Sequence, residues 1–409
     1  MSTGLIIFAA TYLLIAVQRL PFIRLNRPAA SLLGAVAMVA FGVITMRQAY
    51  AAIDLDVLVF LLGLMLIVGY LEVGQFFEWA AAWVLRHART PPRLLAGVVL
   101  GGGLLSALFV NDTICLVMTP VLLAALAPIS VRPTPYLLGL AMGANVGSVL
   151  TVTGNPQNML VGIWSGTTFG GFALHMLPVA VGGLAITYGV LRLAFRAELA
   201  EPFPEAPPSI AVPLDRPLVV KGLAMFGVAV VGWLAGGSLP GVAITAGALM
   251  VLVARRDPAY AIERVDWDLL LLFASLFVVM RGLVATGAVA WIDRQAIEFS
   301  VGASPLRLAA VVSGVMVTLS NLISNVPAVI LWRHTVGGLP DPNFVWRLVA
   351  MSATFAGNLL LIGSVANLIV AEKAQGRGVR IGFWEYARVG IPVTILTMAW
   401  GVLVLVLAH

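Results

Sequence analysis

Apolar runs follow one another along the whole chain, from Leu5 to Leu407, without a long polar stretch between them. Of the 409 residues, 61% are apolar and only 10% are charged, and the mean hydropathy is +1.03. These values lie outside the range of soluble domains, so lipid must be the solvent for most of the fold. We therefore expect an all-α polytopic membrane protein.

Ten segments are candidate crossings of a hydrocarbon core of roughly 30 Å, which takes about 20 helical residues. They are residues 3–20, 28–46, 55–72, 134–170, 172–193, 217–236, 239–254, 267–285, 346–371 and 389–407. Two further apolar segments, 93–130 and 305–333, are interrupted by polar residues near their middles, which is typical of re-entrant hairpins. A shorter amphipathic stretch precedes each hairpin, at 74–88 and 288–300, and is expected near the membrane interface.

The basic residues are scattered singly in short loops, so the net charge of +6 indicates membrane topology rather than nucleic-acid binding. With the N-terminus outside, 18 of the 24 basic residues fall on the cytoplasmic side. The remaining six lie outside or at the outer boundary and are Arg47, Arg281, Arg294, Arg307, Arg333 and Arg347. The positive-inside rule therefore favours a cytoplasmic-membrane protein with both termini outside.

The two halves of the sequence share short matches that occur in the same order. The matched pairs are Asp54-Leu55-Asp56 with Asp266-Trp267-Asp268, Asn111-Asp112 with Ser324-Asn325, Asn145 with Asn358, and Gly154-x-x-x-Asn158 with Gly363-x-x-x-Asn367. The pattern predicts a first repeat at 1–195, a cytoplasmic linker at 196–216 and a second repeat at 217–409. Because each half has five crossings, an odd number, the second repeat would be inverted in the membrane. The alternative is chance similarity between two apolar halves.

Polar residues inside apolar segments are costly when unpaired, so the ones that persist are informative. Four clusters combine them with residues that break helices. They are Asn111-Asp112-Thr113; Thr151, Thr153 and 154–158; Ser320-Asn321 with Ser324-Asn325-Val326-Pro327; and Gly363-Ser364 with Asn367. Such breaks would place half-helix ends and free backbone groups around one cavity for a small, oxygen-rich solute. The alternative is that these residues only form hydrogen bonds between helices.

Candidate roles follow from these clusters. The predicted substrate-binding residues are Asn111, Thr113, Asn155, Asn158, Ser324, Asn325, Ser364 and Asn367, and the predicted bracing residues are Asn145, Gly154, Asn358 and Gly363. Asp112 is the one acidic residue in a cluster, and a carboxyl group at membrane depth can carry a proton or help to hold Na⁺. Asp112 could instead cap the N-terminus of a half-helix. No basic residue falls in any cluster, which argues against a cationic clamp for a multiply charged anion.

Several classes of protein are disfavoured by the motifs that the sequence lacks. There is no His-Glu-x-x-His, Gly-x-Ser-x-Gly or Walker A pattern, so neither an enzyme nor an ATP-driven pump is expected. The single cysteine, Cys115, and four histidines that are far apart suggest no metal site. We expect no cofactor, and a proton or sodium as the coupling ion. The sequence leaves open whether the chain forms a homodimer or works with a separate ATPase.

Two segments resemble a known family. “SALFVNDTICLVMTPVLL” and “GANVGSVLTVTGNPQNMLVG” are similar to the corresponding segments of arsenite efflux permeases and plant silicon efflux transporters, within the ion transporter superfamily that has a citrate-transporter-like domain. “AYAAIDLDVL” is similar too, whereas “SNLISNVPAVIL” and “GNLLLIGSVANLIV” are shared by the wider superfamily. The resemblance implies a scaffold, a mobile transport domain with elevator-type movement, and proton-coupled export of weak oxyacids.

The sequence departs from the resemblance at the hairpin tips. Dicarboxylate carriers of the superfamily typically show Ser-Asn-Thr at both tips, where this chain has Asn111-Asp112-Thr113 and Ser324-Asn325-Val326. The expected function is therefore secondary active export of a small inorganic oxyacid, arsenite- or silicate-like, in exchange for protons. The alternatives are a sodium-coupled symporter of sulfate or dicarboxylate, a sodium–proton antiporter and, from other classes, a channel or a membrane-embedded enzyme.

Overall fold

The computed structural model describes most of the chain. The described residues are 2–17, 25–129, 131–203, 211–300, 302–339 and 341–409. Residues 18–24 and 204–210 lie outside them, and these hold the end of the first predicted crossing and the middle of the predicted linker. Within the described residues the chain is helical, without a β-strand.

The described residues of the first half and the linker form eleven α-helices. They are α1 (Ser2–Val17), α2 (Arg27–Ala40), α3 (Met46–Ala52), α4 (Leu55–Val73), α5 (Phe76–His87), α6 (Pro91–Leu108), α7 (Asn111–Leu126), α8 (Thr134–Ser148), α9 (Pro156–Ser165), α10 (Phe169–Ala194) and, in the linker, α11 (Arg196–Ala200). The part of the second half that the structure describes has ten more. They are α12 (Arg216–Leu234), α13 (Leu239–Ala254), α14 (Ala259–Ile262), α15 (Trp267–Ala285), α16 (Ala288–Ser300), α17 (Pro305–Ile323), α18 (Asn325–Val336), α19 (Pro342–Ala356), α20 (Val365–Gln375) and α21 (Phe383–Leu407).

Eight of the described helices are long and apolar enough to cross a membrane. Shorter apolar helices at Thr3–Ile15, Arg27–Ala40 and Leu239–Ala254 add to them. The prediction of an all-α polytopic membrane protein is thereby confirmed.

Each predicted hairpin consists of two helices joined at a short break. The first break, at Phe109 and Val110, separates α6 from α7, and the second is the single residue Ser324 between α17 and α18. Two predicted crossings are also divided, because residues 149–155 separate α8 from α9 and residues 357–364 separate α19 from α20. Re-entry of the hairpins on one side of the membrane stays a prediction.

The helices of the second half recur in the order of the first, α12–α21 after α1–α10. The packing recurs as well: α6 packs against α8 as α17 does against α19, and α7 packs against α20 as α18 does against α9. Other contacts join the halves, since α2 packs along α15 and α4 along α13. The opposite membrane orientation of the halves, and their bounds at 195 and 217, stay predictions.

Glycines let α6 and α8 approach closely in the first half. A Cβ atom on Gly147 would lie 2.2 Å from the carbonyl oxygen of Gly103, and one on Gly143 would lie 2.8 Å from that of Val99. No side chain fits at such distances, so the Gly143-x-x-x-Gly147 spacing serves helix packing. This contact fixes α8, and with it the first broken helix, against the first hairpin.

Candidate functional site

The break between α8 and α9 is held by two buried asparagines. Asn155 caps α9, because its Oδ1 accepts a hydrogen bond from the backbone N–H of Asn158 at 2.8 Å. The Asn158 Nδ2 donates to the carbonyl oxygens of Ser148 and Thr151 at 3.1 and 2.9 Å. These amide contacts satisfy backbone groups that the interrupted helix leaves free.

The break between α19 and α20 is held in a similar way. The Asn367 Nδ2 donates to the carbonyl oxygens of Gly357 and Leu360 at 2.7 and 3.3 Å. From the second hairpin, the Asn321 Nδ2 reaches the carbonyl oxygen of Ala356 at 3.2 Å. Side-chain amides thus replace the missing helical hydrogen bonds in both broken helices.

Asn145 on α8 connects the two halves through hydrogen bonds. Its Oδ1 accepts from the Asn111 Nδ2 at 2.8 Å and from the Ser364 Oγ at 3.1 Å. Its Nδ2 donates to the Oδ1 atoms of Asn358 and Asn367 at 2.9 and 3.1 Å. One buried amide therefore joins the first hairpin tip to both sides of the second break.

A cavity of about 60 Å³ lies where the hairpin tips meet the broken helices. Its polar lining comes from Arg27, Asn111, Asp112, Gln157, Ser324, Asn325 and Ser364. Its apolar lining comes from Ile15, Pro156, Leu269, Leu272, Leu276, Ile323, Val326, Pro327 and Val365. A water needs only about 10–15 Å³ of such space, so the cavity is large enough for a small solute.

Two side-chain oxygens in this lining have no partner. Asn111 Oδ1 and Asn325 Oδ1 are buried and accept no hydrogen bond from the described residues. Buried polar atoms are nearly always paired in folded proteins, so unpaired acceptors beside a cavity indicate a ligand that donates hydrogen bonds. The two amides belong to the first residues of α7 and α18, the helices that follow the two hairpin breaks.

Ser324, at the second tip, has a strained backbone. Its φ and ψ angles are 77° and 158°, a region that is almost confined to glycine. The surrounding fold must hold the residue in this conformation, at a cost of about 1–3 kcal/mol. Such strain is common at ligand sites, and Ser324 lines the cavity.

Asp112 faces positive groups from two other elements. The backbone N–H of Ala366, in the first turn of α20, lies close enough to interact favourably with the Asp112 carboxylate. The Arg27 guanidinium interacts with the same carboxylate electrostatically, and both residues line the cavity. The contact with Ala366 supports the capping alternative for Asp112, while the role of Asp112 as a proton carrier stays a prediction.

The other predicted site residues lie outside the lining. Asn155, Asn158 and Asn367 are almost fully buried behind the cavity and hold the breaks, and Thr113 is half-buried away from the cavity. Gly154 contributes through its backbone, since its carbonyl oxygen accepts from the N–H of Asn111 at 3.1 Å. A Cβ atom on Gly363 would lie 3.0 Å from Asn321 Oδ1, so the residue permits a close approach in the second break.

Arg27 and Gln157 line the cavity although neither was predicted to do so. Arg27 was among the 18 basic residues assigned to the cytoplasmic side, and it belongs to none of the four polar clusters, but the structure places it in the cavity lining. Its approach to Asp112 depends on packing between helices far apart in sequence. Gln157 lies within the polar cluster at 154–158, next to the predicted residue Asn158, and its amide was the sequence signal that could have identified it.

Three cavities of about 300–400 Å³ lie elsewhere. One is lined by Gln48, Arg281 and Arg333 together with apolar residues, the second is almost wholly apolar, and the third adjoins Trp83 and Arg86. None of them is lined by a residue of the four polar clusters. The small cavity is therefore the candidate site, because it alone among those described joins both hairpin tips and both broken helices.

Paired breaks in membrane helices around a buried polar cavity are typical of transporters. Residues 12–339 match the family described as citrate transporter, CitMHS. The chain therefore belongs to the CitMHS citrate transporter family, within the ion transporter superfamily, and it is a multi-pass membrane transporter rather than an enzyme. The match covers most of the chain.

Individual relatives are similar over nearly their whole length. An uncharacterized transporter of Mycobacterium tuberculosis is 32% identical, with 96% of this chain and 95% of the relative covered. The silicon efflux transporter LSI3 of Oryza sativa subsp. japonica is 30% identical, with 98% and 96% covered. The crystal structure of the Alcanivorax borkumensis YdaH transporter, which has an unusual topology, is similar in fold at a TM-score of 0.54 and 14% identity, with 99% and 96% covered.

Proposed function

We propose that this transporter exports a small inorganic oxyacid, arsenite- or silicate-like, in exchange for protons. The observation that carries the proposal is the set of acceptors around the cavity, namely Asn111 Oδ1, Asn325 Oδ1 and the Asp112 carboxylate. Weak oxyacids are uncharged at neutral pH and present O–H groups, which are hydrogen-bond donors. The name of the rice relative, a silicon efflux transporter, supports the same class of solute.

The exchange would arise because proton and solute compete for Asp112. An ionised carboxylate only accepts hydrogen bonds, so it can bind the O–H group of an uncharged acid. Once protonated, the carboxyl group becomes a donor itself and loses part of its acceptor capacity. A site that holds either the proton or the solute couples their movement in opposite directions.

The test is transport by the purified protein in proteoliposomes. With an inward proton gradient, we expect the wild type to move arsenite or silicic acid outward against its concentration gradient. Asp112→Asn should abolish this uphill movement. The matched control is Arg89→Gln, at an exposed position away from the cavity. Proton-driven uphill transport by Asp112→Asn at the wild-type rate would remove Asp112 from the mechanism.

A second function, sodium-coupled symport of an anion such as sulfate or a dicarboxylate, is favoured by one observation. Arg27 places a cation at the cavity wall, and a cation attracts an anionic solute. Replacing the proton gradient by a sodium gradient in the same assay separates the two functions. Accumulation of sulfate or citrate driven only by sodium would support the second function and contradict the first.

We further propose a cytoplasmic-membrane location with both termini outside, and an elevator-type movement. The scaffold would contain α1, α2, α4, α12, α13 and α15, and the moving unit would contain both hairpins and both broken helices. The packing of α2 along α15 and of α4 along α13 supports this division, because each pair joins the halves without a broken helix.

A further inference from the structure

Arg27 is held at the wall of the candidate site by the start of α2. Asn26 caps this helix, since its Oδ1 accepts from the backbone N–H of Ala29 at 3.0 Å. The Asn26 Nδ2 donates to the Oδ2 of Asp268 on α15 at 3.2 Å. The backbone of Arg27 is thus fixed between the cap of its own helix and the first turn of α15.

A positive charge is unfavourable at this position in a helix. The N-terminus of a helix carries a partial positive charge, so Arg27 at the first position of α2 adds to the charge already there. Partial burial of the guanidinium adds a further cost unless an acid compensates it. The compensating acids are Asp112, which lines the same cavity, and Glu372 on α20.

The charges of Arg27 and Asp112 act across the cavity rather than through direct contact. No carboxylate of the described residues lies within ion-pairing distance, 4.0 Å, of the Arg27 guanidinium. Because both residues line the cavity, a solute in it would meet both groups. The other titratable groups near the pair are Asp266, at the N-cap of α15, and Cys115, one turn along α7 from Asp112.

We infer that Arg27 determines solute specificity by setting the net charge of the cavity. This inference deepens the proposed function and rests on it. With Asp112 ionised, the two charges cancel and the cavity accepts an uncharged, hydroxylated acid. With Asp112 neutral, the charge of Arg27 is uncompensated and the cavity accepts a small monoanion instead.

The experiment is a double-mutant cycle read by calorimetric binding to the purified protein. The ligands are arsenous acid, which is uncharged at neutral pH, and nitrate, a monoanion. Asp112→Asn should bind nitrate at least about tenfold more tightly than the wild type. The substitution removes the repulsion between the carboxylate and the anion, and at a few ångströms in a protein cavity this energy exceeds the free energy of a tenfold change in affinity. Asp112→Asn combined with Arg27→Gln should lose this gain, and Asp112→Asn combined with Arg27→Lys should keep it.

A second measurement leaves Asp112 unchanged, so it still tests the inference if Asp112→Asn does not fold. Wild-type affinity for nitrate should rise as the pH falls and Asp112 takes up a proton, while Arg27→Gln should show no such rise. Arg89→Gln is the control, because it removes an exposed arginine away from the cavity and should behave as the wild type. Size-exclusion profiles identify variants that have not folded.

The outcomes separate this inference from the proposed function. No gain of nitrate binding in Asp112→Asn, or a gain that survives Arg27→Gln, would overturn the role of Arg27 while arsenous acid binding by the wild type stood. Failure of the wild type to bind any uncharged oxyacid would overturn the proposed function. The switch in nitrate binding would still establish Arg27 as the residue that sets the charge of the site.

Discussion

Asn145 is the residue on which the geometry of the candidate site depends most. Its one side-chain amide accepts from two residues and donates to two others, in both halves of the chain. We expect Asn145→Ala to lower the free energy of unfolding by about 2–4 kcal/mol, because it leaves buried partners without hydrogen bonds. Thermal unfolding in detergent measures the loss.

Asn343→Ala is the control for Asn145→Ala, since Asn343 lies exposed on α19. Its replacement should change the stability by less than about 0.5 kcal/mol. Equal effects of the two substitutions would show that Asn145 does not organise the site.

At Ser324 we predict a gain in the free energy of unfolding rather than a loss. Glycine adopts the φ of 77° without steric strain, so Ser324→Gly should raise the free energy of unfolding by about 1 kcal/mol. Ser324→Ala keeps the Cβ atom and the strain, and should therefore give no such gain. Thermal unfolding of both variants measures the difference, and a gain for alanine equal to that for glycine would contradict the strain at this residue.

The sequence identified which residue types form the site, but not which side chains face the cavity. The sequence does not distinguish Asn111 and Asn325 from Asn155 and Asn158, since all four are amides beside a helix break. Only the packing shows that Asn111 and Asn325 have side-chain oxygens without partners, whereas the Asn158 Nδ2 donates hydrogen bonds to backbone carbonyl groups of the first break. Arg27 could not be assigned at all, because the helices that bring it to Asp112 are separated by more than 80 residues.

Glycines bring the backbones of α6 and α8 into close contact near the site. Gly147→Ala should lower the free energy of unfolding by about 1–3 kcal/mol, because its Cβ atom would overlap the backbone of Gly103 and the helices would have to separate. Gly189→Ala on α10 is the matched control, since a Cβ atom there meets nothing within 4 Å. The control should be neutral or slightly stabilising, and equal losses in thermal unfolding would refute the contact.

A second contact joins three elements through charged and aromatic groups. The Asp54 Oδ2, at the N-cap of α4, lies 3.1 Å from the Arg333 Nη1 of α18 and 2.9 Å from the Trp164 Nε1 of α9. The Arg333 guanidinium also lies over the Trp164 ring, 4.6 Å from its centroid. A double-mutant cycle with Asp54→Asn and Arg333→Gln should give a coupling energy of about 1 kcal/mol. Strict additivity of the two losses would show that the ion pair does not couple α4 to α18.

The helix breaks were predictable because their causes are local. Gly154 and Pro156 interrupt the helix that begins at Thr134, and Ser324 precedes Asn325 at the second hairpin tip, as the sequence indicated. The short helices α3, α11 and α14 were not predicted, because four to seven residues between crossings carry no periodicity of their own. The start of α3 is set by the capping box that Thr45 and Gln48 form.

In the described part of the chain, ten helices of the second half follow the same order as ten helices of the first. Contacts that join the halves come in matched pairs, with α7 on α20 and α18 on α9. If the halves are inverted, matching helices such as α3 and α14 must lie on opposite sides of the membrane. The predicted distribution of basic residues places α3 outside and α14 in the cytoplasm.

A labelling experiment tests this inversion at two matched positions. Tyr50 on α3 and Tyr260 on α14 occur in similar sequences, Ala49-Tyr50-Ala51 and Ala259-Tyr260-Ala261, and their side chains are 64% and 58% exposed. Cys115, the one native thiol, is buried and can be replaced by alanine to give a background without cysteine. On intact cells, a membrane-impermeant maleimide should label Tyr50→Cys and should label Tyr260→Cys only after permeabilisation.

Because the two positions are matched in residue type and exposure, a difference between them reports the side of the membrane rather than local reactivity. Labelling of both from outside would mean that the halves have the same orientation, and the two hairpins could not then approach one cavity from opposite sides.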